Sequence, residues 1–189
     1  MTNKEEAMEE FFETIKCENG EVFNLSYHNK RIARTIGINI NLQEYIYPPT
    51  NKLLKCKVIY NQENILSIKF TPYKYKNIKS FKIIQDDTID YRYKSLNRKD
   101  IDKLYEKKEN CDEIIIVKNG YITDTSIANI AILENGVWLT PKQPLLQGTT
   151  IDRLIQNNNI KQSDITLDQL LQSPKIALMN AMIGFKVIE

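Results

Sequence analysis

Lys94 is the residue of this sequence whose setting best suits covalent chemistry. It ends a strand-like stretch and stands before a polar step, residues 95–98, that leads into a charged helix. Asp124 follows later in the chain, and the run GTT at 148–150 comes after it. A lysine amine attacks carbonyl carbons when it is partly desolvated. An amine, an acid and a run that can open a helix, in this order, suggest a pyridoxal phosphate site.

Pyridoxal phosphate needs an amine for its aldehyde, a partner for its pyridine nitrogen and donors for its phosphate. Lys94 would supply the first and Asp124 the second. Gly148, Thr149 and Thr150 would supply the third, because free N–H groups and partial positive charge at a helix start favour a dianion. Each signal is weak alone. A surface lysine, a turn aspartate and an N-cap threonine remain open as alternatives.

The elements that must position these residues begin with an antiparallel sheet in the first half of the chain. Residues 12–17 alternate as a strand does, and Asn19-Gly20 separates them from a β-prone run at 22–25. This pattern predicts a hairpin, because both turn residues tolerate positive φ. The acidic residues 2–11 could form a helical or frayed start. Helices are also expected at 27–36 and 42–47, and strands at 54–60, 64–71 and 80–86.

The second half predicts further hairpins mixed with helices. Ile101, Leu104 and Tyr105 recur with helical spacing on a charged segment. Hairpin turns are expected at Asn119-Gly120 and Asn135-Gly136, by the same rule as before. Strands are expected at 113–117, 121–123, 130–133, 137–139 and 176–179, and helices from residue 150 and at 167–172.

The composition allows a packed protein of one large or two small domains, with 42% hydrophobic and 26% charged residues among 189. Hairpins outnumber βαβ units and no GxGxxG run occurs, so a Rossmann domain is not expected. We therefore predict an α+β protein of two small α/β domains with mostly antiparallel sheets. The domains are residues 1–88 and residues 89–189, the second carrying the lysine.

Charge and cysteine content bear on partners and location. The net charge of +2 gives no general reason to propose nucleic acid or an anionic membrane as a partner. The basic, aromatic run at 73–79 could stack on bases, but a solvated hairpin or connector explains it better.

Cys17, Cys56 and Cys111 lack metal-ligand spacing, and no signal peptide or membrane-length apolar run occurs. A cytoplasmic protein with reduced thiols and no metal site is expected. His28, the one histidine, fits a packing or hydrogen-bonding role better than the role of base in a catalytic Ser-His-Asp triad.

The order of these motifs resembles the class IV aminotransferases, the fold-type IV pyridoxal phosphate enzymes. The resemblance runs from about residue 11 to residue 187 and is thin between 37 and 88. The matching runs are FETI at 12–15 before Asn19-Gly20, HNKR at 28–31, KSLN at 94–97, TDTSIAN at 123–129 and LLQGTT at 145–150.

This resemblance implies a D-amino acid aminotransferase-like fold, with the cofactor at the interface of two domains, and a homodimer. It also implies that Lys94 is the catalytic residue, which forms a Schiff base with pyridoxal 5′-phosphate. Arg31 would contact the phosphate, and the acid of the 123–129 run would bond the ring nitrogen. The expected cofactor-binding residues are Arg31, Lys94, Asp124, Asn129, Gly148, Thr149 and Thr150, and the candidate substrate residues are Phe12, Arg98 and Asn180.

Two details resemble the aminodeoxychorismate lyases within this family: Arg98 after the lysine motif, and the run MNAMIG at 179–184. They imply a small amine substrate, 4-amino-4-deoxychorismate, converted to 4-aminobenzoate and pyruvate. An aminotransferase on branched-chain or D-amino acids is the alternative. A catalytically silent protein of the same fold is a further one. The short ends and Asp124 in place of the usual glutamate motivate it; Ile151 in place of a common arginine is another departure from the family.

Overall fold

The computed structural model describes residues 8–188, which divide into two compact units. The first consists of the described residues up to Tyr73 together with Tyr93–Asn97. The second consists of Lys74–Arg92 and the described residues from Arg98 onward. This division differs from the predicted boundary between 88 and 89. The strand Phe81–Gln85 pairs inside the second unit, and the segment around Lys94 is bonded to the first. Most of the predicted acidic start at 2–11 lies outside the described residues.

The first unit is built on a four-stranded antiparallel sheet with strand order β2-β1-β3-β4. Alternation along β1 and β3 sends every second side chain into one apolar core, which Ile32 of helix α1 completes. The elements are β1 (Phe11–Glu18), β2 (Glu21–Val22), α1 (Leu25–Ile36), a short 3-10 helix (Leu42–Glu44), β3 (Leu54–Tyr60) and β4 (Ile65–Pro72).

The second unit contains an eight-stranded mixed sheet with strand order β10-β9-β8-β7-β6-β5. Strand β11 pairs with β8 and β12 with β11; the β5–β6 and β9–β10 pairs are parallel and the others are antiparallel. The elements are β5 (Phe81–Gln85), α2 (Lys99–Glu106), β6 (Glu113–Lys118), β7 (Tyr121–Thr125), β8 (Asn129–Glu134), β9 (Val137–Pro141), α3 (Thr149–Gln156), β10 (Lys161–Ser163), α4 (Leu167–Gln172), β11 (Ile176–Asn180) and β12 (Gly184–Ile188).

The three predicted Asn-Gly hairpins are confirmed. Both residues of each turn have positive φ, for example 55° at Asn19 and 77° at Gly20. Backbone of this hand continues the right-handed twist of the flanking strands, and asparagine and glycine adopt it most readily. The predicted α+β class with mostly antiparallel sheets is therefore confirmed as well.

The helices are short and end at local signals. Helix α1 has 12 residues and ends at Gly37, which adopts φ 75° and donates its N–H to the Ala33 carbonyl. Helix α4 begins with a capping box in which Thr166 and Gln169 satisfy each other's backbone N–H. None of the helices in the range 8–188 is long and apolar enough to cross a membrane.

Three local predictions need correction, and two strands were missed. The strand-like stretch that ends at Lys94 is not a strand: residues 90–94 have no strand assignment, and an isolated bridge to Phe11 forms only at Ser95. The helix predicted at 42–47 is one 3-10 turn, Leu42–Glu44, and the run at 22–25 divides between β2 and the start of α1. Strands β10 and β12 were not predicted. Each is a strand because it pairs with a neighbour: β10 pairs with β9, and β12 pairs with β11.

Candidate active site

The backbone of Lys94 is held against the start of β1. Its carbonyl accepts the Phe12 N–H at 2.9 Å, and the Leu96 N–H donates to the Glu10 carbonyl at 2.8 Å. The half-buried Lys94 side chain extends over the Phe12 ring, with Nζ 4.6 Å from the ring centroid. A cation over an aromatic face is stabilised by the ring quadrupole. The structure thus brings together the predicted catalytic lysine and one predicted substrate residue.

A second lysine shares the same ring, and sequence reasoning missed it. Lys57 Nζ lies 4.8 Å from the Phe12 ring centroid, so the amines of Lys57 and Lys94 are less than ~10 Å apart. Lys57 faces Thr14 across the β1–β3 pair, and Thr14 shares a sheet face with Phe12. The register of β1 on β3, which the sequence does not state, is the signal that would have found Lys57.

Arg31 lies on the buried side of α1, bonded to a carboxylate in the middle of β1. Glu13 Oε1 accepts Arg31 Nε–H at 2.8 Å, and Glu13 Oε2 accepts from Arg31 Nη2. His28 Nδ1 lies 2.6 Å from the same Oε2. We call Glu13, His28 and Arg31 the buried triad; their exposed fractions are 0%, 1% and 6%. His28 therefore has the hydrogen-bonding role that the sequence favoured, and the triad contains the predicted phosphate ligand.

The charges of the triad follow from its burial and its bonds. Burial alone raises the pKa of Glu13, but the charge of Arg31 and hydrogen bonds from His28 and Arg31 hold it at about 2. Burial lowers the pKa of His28, and the bond to Glu13 opposes this only in part. The charge of Lys94 also lowers the His28 pKa, so the lysine lies within electrostatic reach of the triad. At neutral pH, Glu13 is ionised and His28 is neutral, and Nδ1–H donates to the carboxylate.

Asp124 lies buried near the end of β7 in the second unit, next to Asn129 and the 145–150 run. Its Oδ1 accepts Asn129 Nδ2–H at 2.7 Å, and its Oδ2 accepts the Leu146 N–H at 2.9 Å. Asn129 also donates to the Leu146 carbonyl at 2.8 Å. The Thr125 hydroxyl accepts the Ala128 N–H at 2.9 Å and closes the intervening turn. Asn129 therefore joins the acid of β7 to the loop before α3.

Gly148 is the residue from which α3 begins, and its surroundings exclude a side chain. A Cβ at this position would overlap Oδ1 of Asn129. Its φ of −75° is ordinary, so close packing and not backbone conformation is what requires glycine. Thr149 and Thr150 are the first helical residues, with exposed fractions of 5% and 4%. The structure thus brings Asp124, Asn129 and Gly148 together, with both threonines directly after them.

The start of α3 has features that suit an anion. No side chain caps it, although its first residues are buried. The first N–H groups of any helix have no partner inside the helix. Within residues 8–188, the Thr149 and Thr150 hydroxyls make no hydrogen bond either. Backbone amides and two hydroxyls at the positive end of a helix are a donor set that phosphate fits.

Arg98 is engaged in the second unit. Its guanidinium donates to the Ser126 carbonyl at 2.8 Å, lies 5.6 Å from the Tyr91 ring centroid and approaches Asp102 at 3.6 Å. These contacts join the start of α2 to the turn that follows Asp124. They favour a structural role for Arg98 over a substrate role.

Asn180 closes the turn between β11 and β12. Its Oδ1 accepts the N–H groups of Met182 and Ile183 at 2.9 and 3.0 Å, and its Nδ2 donates to the Ile127 carbonyl at 3.2 Å. Both ends of the amide are therefore occupied. The substrate role of Asn180 stays a prediction, and the observed bonds explain an asparagine here without it.

Comparison with known proteins places these features in one family. The family described as amino-transferase class IV matches residues 61–188. A Haemophilus influenzae protein described as uncharacterized is 34% identical over 184 residues, covering 92% of this chain and 97% of that protein. A Haemophilus somnus 129PT crystal structure, provisionally named a 4-amino-4-deoxychorismate lyase, is 32% identical with a TM-score of 0.87. The match covers 94% of this chain and 98% of that one.

A more distant structure shares the fold. The pyridoxal phosphate-bound form of a hypothetical aminotransferase from Mycobacterium tuberculosis superposes with a TM-score of 0.74 at 14% identity. The match covers 95% of this chain and 80% of that one. The predicted fold-type IV architecture is therefore confirmed.

Proposed function

Because the chain belongs to the class IV aminotransferase family, we propose that it is a pyridoxal phosphate-dependent 4-amino-4-deoxychorismate lyase. Its products would be 4-aminobenzoate and pyruvate. The observation that carries the proposal is the pair of amines on the Phe12 ring: Lys94 for the chemistry and Lys57 for an anionic substrate. Similarity to the Haemophilus somnus protein supports the same activity.

The residues of the chain fit the proposed cofactor. Lys94 would hold the aldehyde, and Arg31 with Thr149 and Thr150 would hold the phosphate. Asp124 would hold the ring nitrogen. Its oxygens accept the N–H groups of Asn129 and Leu146, and these bonds would hold the carboxylate in one orientation for that nitrogen. Gly148 would present its backbone to the phosphate, and its missing side chain makes room for Asn129.

When bound, pyridoxal phosphate supplies an electron-accepting ring and an aldehyde for the substrate amine. Once the substrate amine has replaced it on the aldehyde, the Lys94 amine would act as the base and take the proton from the ring carbon that bears nitrogen. That carbon–hydrogen bond and the ether bond to the pyruvyl group break, the carbocycle becomes aromatic, and the released enol takes up a proton to give pyruvate. Phe12 holds the Lys94 amine above its ring, which limits where this proton is taken.

Lys57 would bind a carboxylate of the substrate. 4-Amino-4-deoxychorismate carries two carboxylates, and an ammonium group attracts them with little directional demand. Lys57 is half-buried, and an interaction with its charge is therefore stronger than on an open surface. A substrate without a second carboxylate would gain less from it. This difference favours the lyase over an enzyme of branched-chain amino acids.

Two measurements test the proposal. Purified protein with pyridoxal phosphate should convert 4-amino-4-deoxychorismate to 4-aminobenzoate, and Lys94→Ala should not. Borohydride treatment should abolish the visible absorbance of the bound cofactor and fix its mass on Lys94. A protein that carries the cofactor on Lys94 but forms no 4-aminobenzoate would rule out the lyase.

The second candidate is an aminotransferase, favoured by the name of the family and by the Mycobacterium tuberculosis structure. It would use the same Lys94 but release a keto acid from a branched-chain or D-amino acid. Supplying these amino acids and measuring keto acid separates the two activities. If the protein shows neither the lyase nor the aminotransferase activity, and no cofactor absorbance, it is the catalytically silent alternative.

A further inference from the structure

The buried triad is costly where it lies. The other inward side chains of β1 are Phe11, Ile15 and Cys17, which form the apolar core of the first unit. Glu13 stands in the middle of this row with no exposed surface. A buried charge is costly unless it is paired, and an apolar side chain often stabilises such a position equally well. Stability alone therefore gives no reason for a carboxylate at this position.

The geometry of the triad orients one group. Glu13 binds the side of the Arg31 guanidinium through Nε and Nη2, with one carboxylate oxygen for each. Two parallel bonds fix the plane of the guanidinium as well as its position. His28 lies one helical turn before Arg31 on the same face of α1 and donates to the same carboxylate. Oε2 of Glu13 thus accepts from both His28 and Arg31, and Oε1 accepts from Arg31.

On the premise of the proposed function, we infer that Glu13 is the positioning residue that sets Arg31 for the cofactor phosphate. His28 is the donor that holds Glu13 in place. Ordering the guanidinium before the ligand arrives removes an entropic cost from binding. The carboxylate also neutralises part of the Arg31 charge. The arrangement therefore strengthens phosphate binding through a fixed guanidinium orientation at the expense of its electrostatic attraction. Lys94, whose charge lowers the His28 pKa, would hold the aldehyde of the same cofactor.

The phosphate itself provides the test. Pyridoxal lacks the phosphate but keeps the ring and the aldehyde, so the ratio of the two affinities isolates what the phosphate contacts, Arg31 among them, contribute. Titration of apo-protein with each compound, followed by absorbance, gives this ratio without any turnover. We expect Glu13→Gln to lower the preference for pyridoxal phosphate over pyridoxal by at least about tenfold. In an Arg31→Lys background, the same substitution should have little further effect, because the oriented group is gone.

Tyr60→Phe is the matched control. Tyr60 is fully buried on the same face of the sheet, and its hydroxyl takes no part in the hydrogen bonds of the triad. The substitution changes the same core but not the triad, so it should leave the ratio unchanged. Equal losses of both affinities in Glu13→Gln, with the ratio unchanged, would reduce Glu13 to a purely structural role. Tighter binding of pyridoxal phosphate by Glu13→Gln would also overturn the inference, since charge would then outweigh orientation.

Two variants of His28 test the positioning of Arg31 independently, and they remain informative if Glu13→Gln does not fold. Asparagine can place an N–H close to the position of Nδ1, whereas leucine cannot. We expect His28→Leu to lower the ratio and His28→Asn to preserve most of it; the same ratio in both variants would contradict the inference. A wild-type protein that takes up no cofactor on Lys94 would instead refute the proposed function, which separates the two failures.

Discussion

Asn129 donates a hydrogen bond of 2.7 Å to Asp124, and the same side chain leaves no space for a Cβ on Gly148. One amide therefore sets both the orientation of the acid and the approach of the loop that opens α3. The acid and the proposed phosphate cradle are coupled through Asn129, although they lie on separate elements.

Gly148→Ala tests this coupling. The new methyl group must displace Asn129, so we expect a loss of about 1–3 kcal/mol in the free energy of unfolding. Affinity for pyridoxal phosphate should fall at least about tenfold, because the acid and the start of α3 both shift. Urea denaturation and cofactor titration measure the two effects.

Gly37→Ala is its control. Gly37 adopts φ 75° with open space around the position of a Cβ, so alanine there costs about 1 kcal/mol of backbone strain without a clash. It should leave cofactor affinity unchanged. Equal affinity losses in both variants would show that Gly148 matters only through global stability.

Lys57→Gln tests the proposed carboxylate site. The variant keeps the length and polarity of the side chain but not its charge, so KM for 4-amino-4-deoxychorismate should rise about tenfold with a smaller change in kcat. Lys55→Gln is the matched control, because Lys55 lies on the same face of β3 but not over Phe12. Initial rates of 4-aminobenzoate formation measure both. An equal rise of KM in both variants would indicate that positive charge on this face of β3 attracts the substrate in general, without a specific carboxylate site at Lys57.

Acid should destabilise the protein through Glu13. Its pKa lies near 4.5 in the unfolded chain and about 2 in the folded protein. A carboxyl with a lowered folded pKa contributes stability that is complete above the unfolded value and is lost as pH falls towards the folded value. The loss between pH 4.5 and 2 should be about 3 kcal/mol. Urea denaturation at several pH values, compared with Glu13→Gln, isolates this part. An identical pH dependence in both proteins would contradict it.

Arg98→Met distinguishes a structural from a substrate role. The variant loses the bond to the Ser126 carbonyl but keeps an apolar side chain over Tyr91. We expect the free energy of unfolding to fall by about 1–3 kcal/mol and KM to stay unchanged. A raised KM at wild-type stability would show that Arg98 contacts the substrate instead.

Local signals were sufficient for some elements and not for others. The Asn-Gly turns were predictable because the conformation of two adjacent residues decides them. Strand β10 was not, because Lys161–Ser163 carries no strand pattern of its own and forms only by pairing with β9. Strand β12 depends likewise on β11, after the turn that Asn180 closes.

The same distinction holds for the candidate site. Lys94, Asp124 and Gly148 could be proposed from short runs of sequence. Lys57 and the Glu13–Arg31 bond could not, because each depends on which strand or helix faces β1 and in what register. Position along the chain does not contain that information. It appears only when β1, β3 and α1 are packed.

The excursion of Tyr93–Asn97 into the first unit makes the two units interleaved rather than consecutive. The chain crosses from one unit to the other at Tyr73, at Arg92 and again at Asn97, so no single cut yields two intact pieces. A fragment ending at Tyr73 would lack the lysine segment that pairs with Phe11 and Phe12. The amine proposed for catalysis is thus tied to both units by chain connectivity alone, and neither unit could be exchanged as a module in one step.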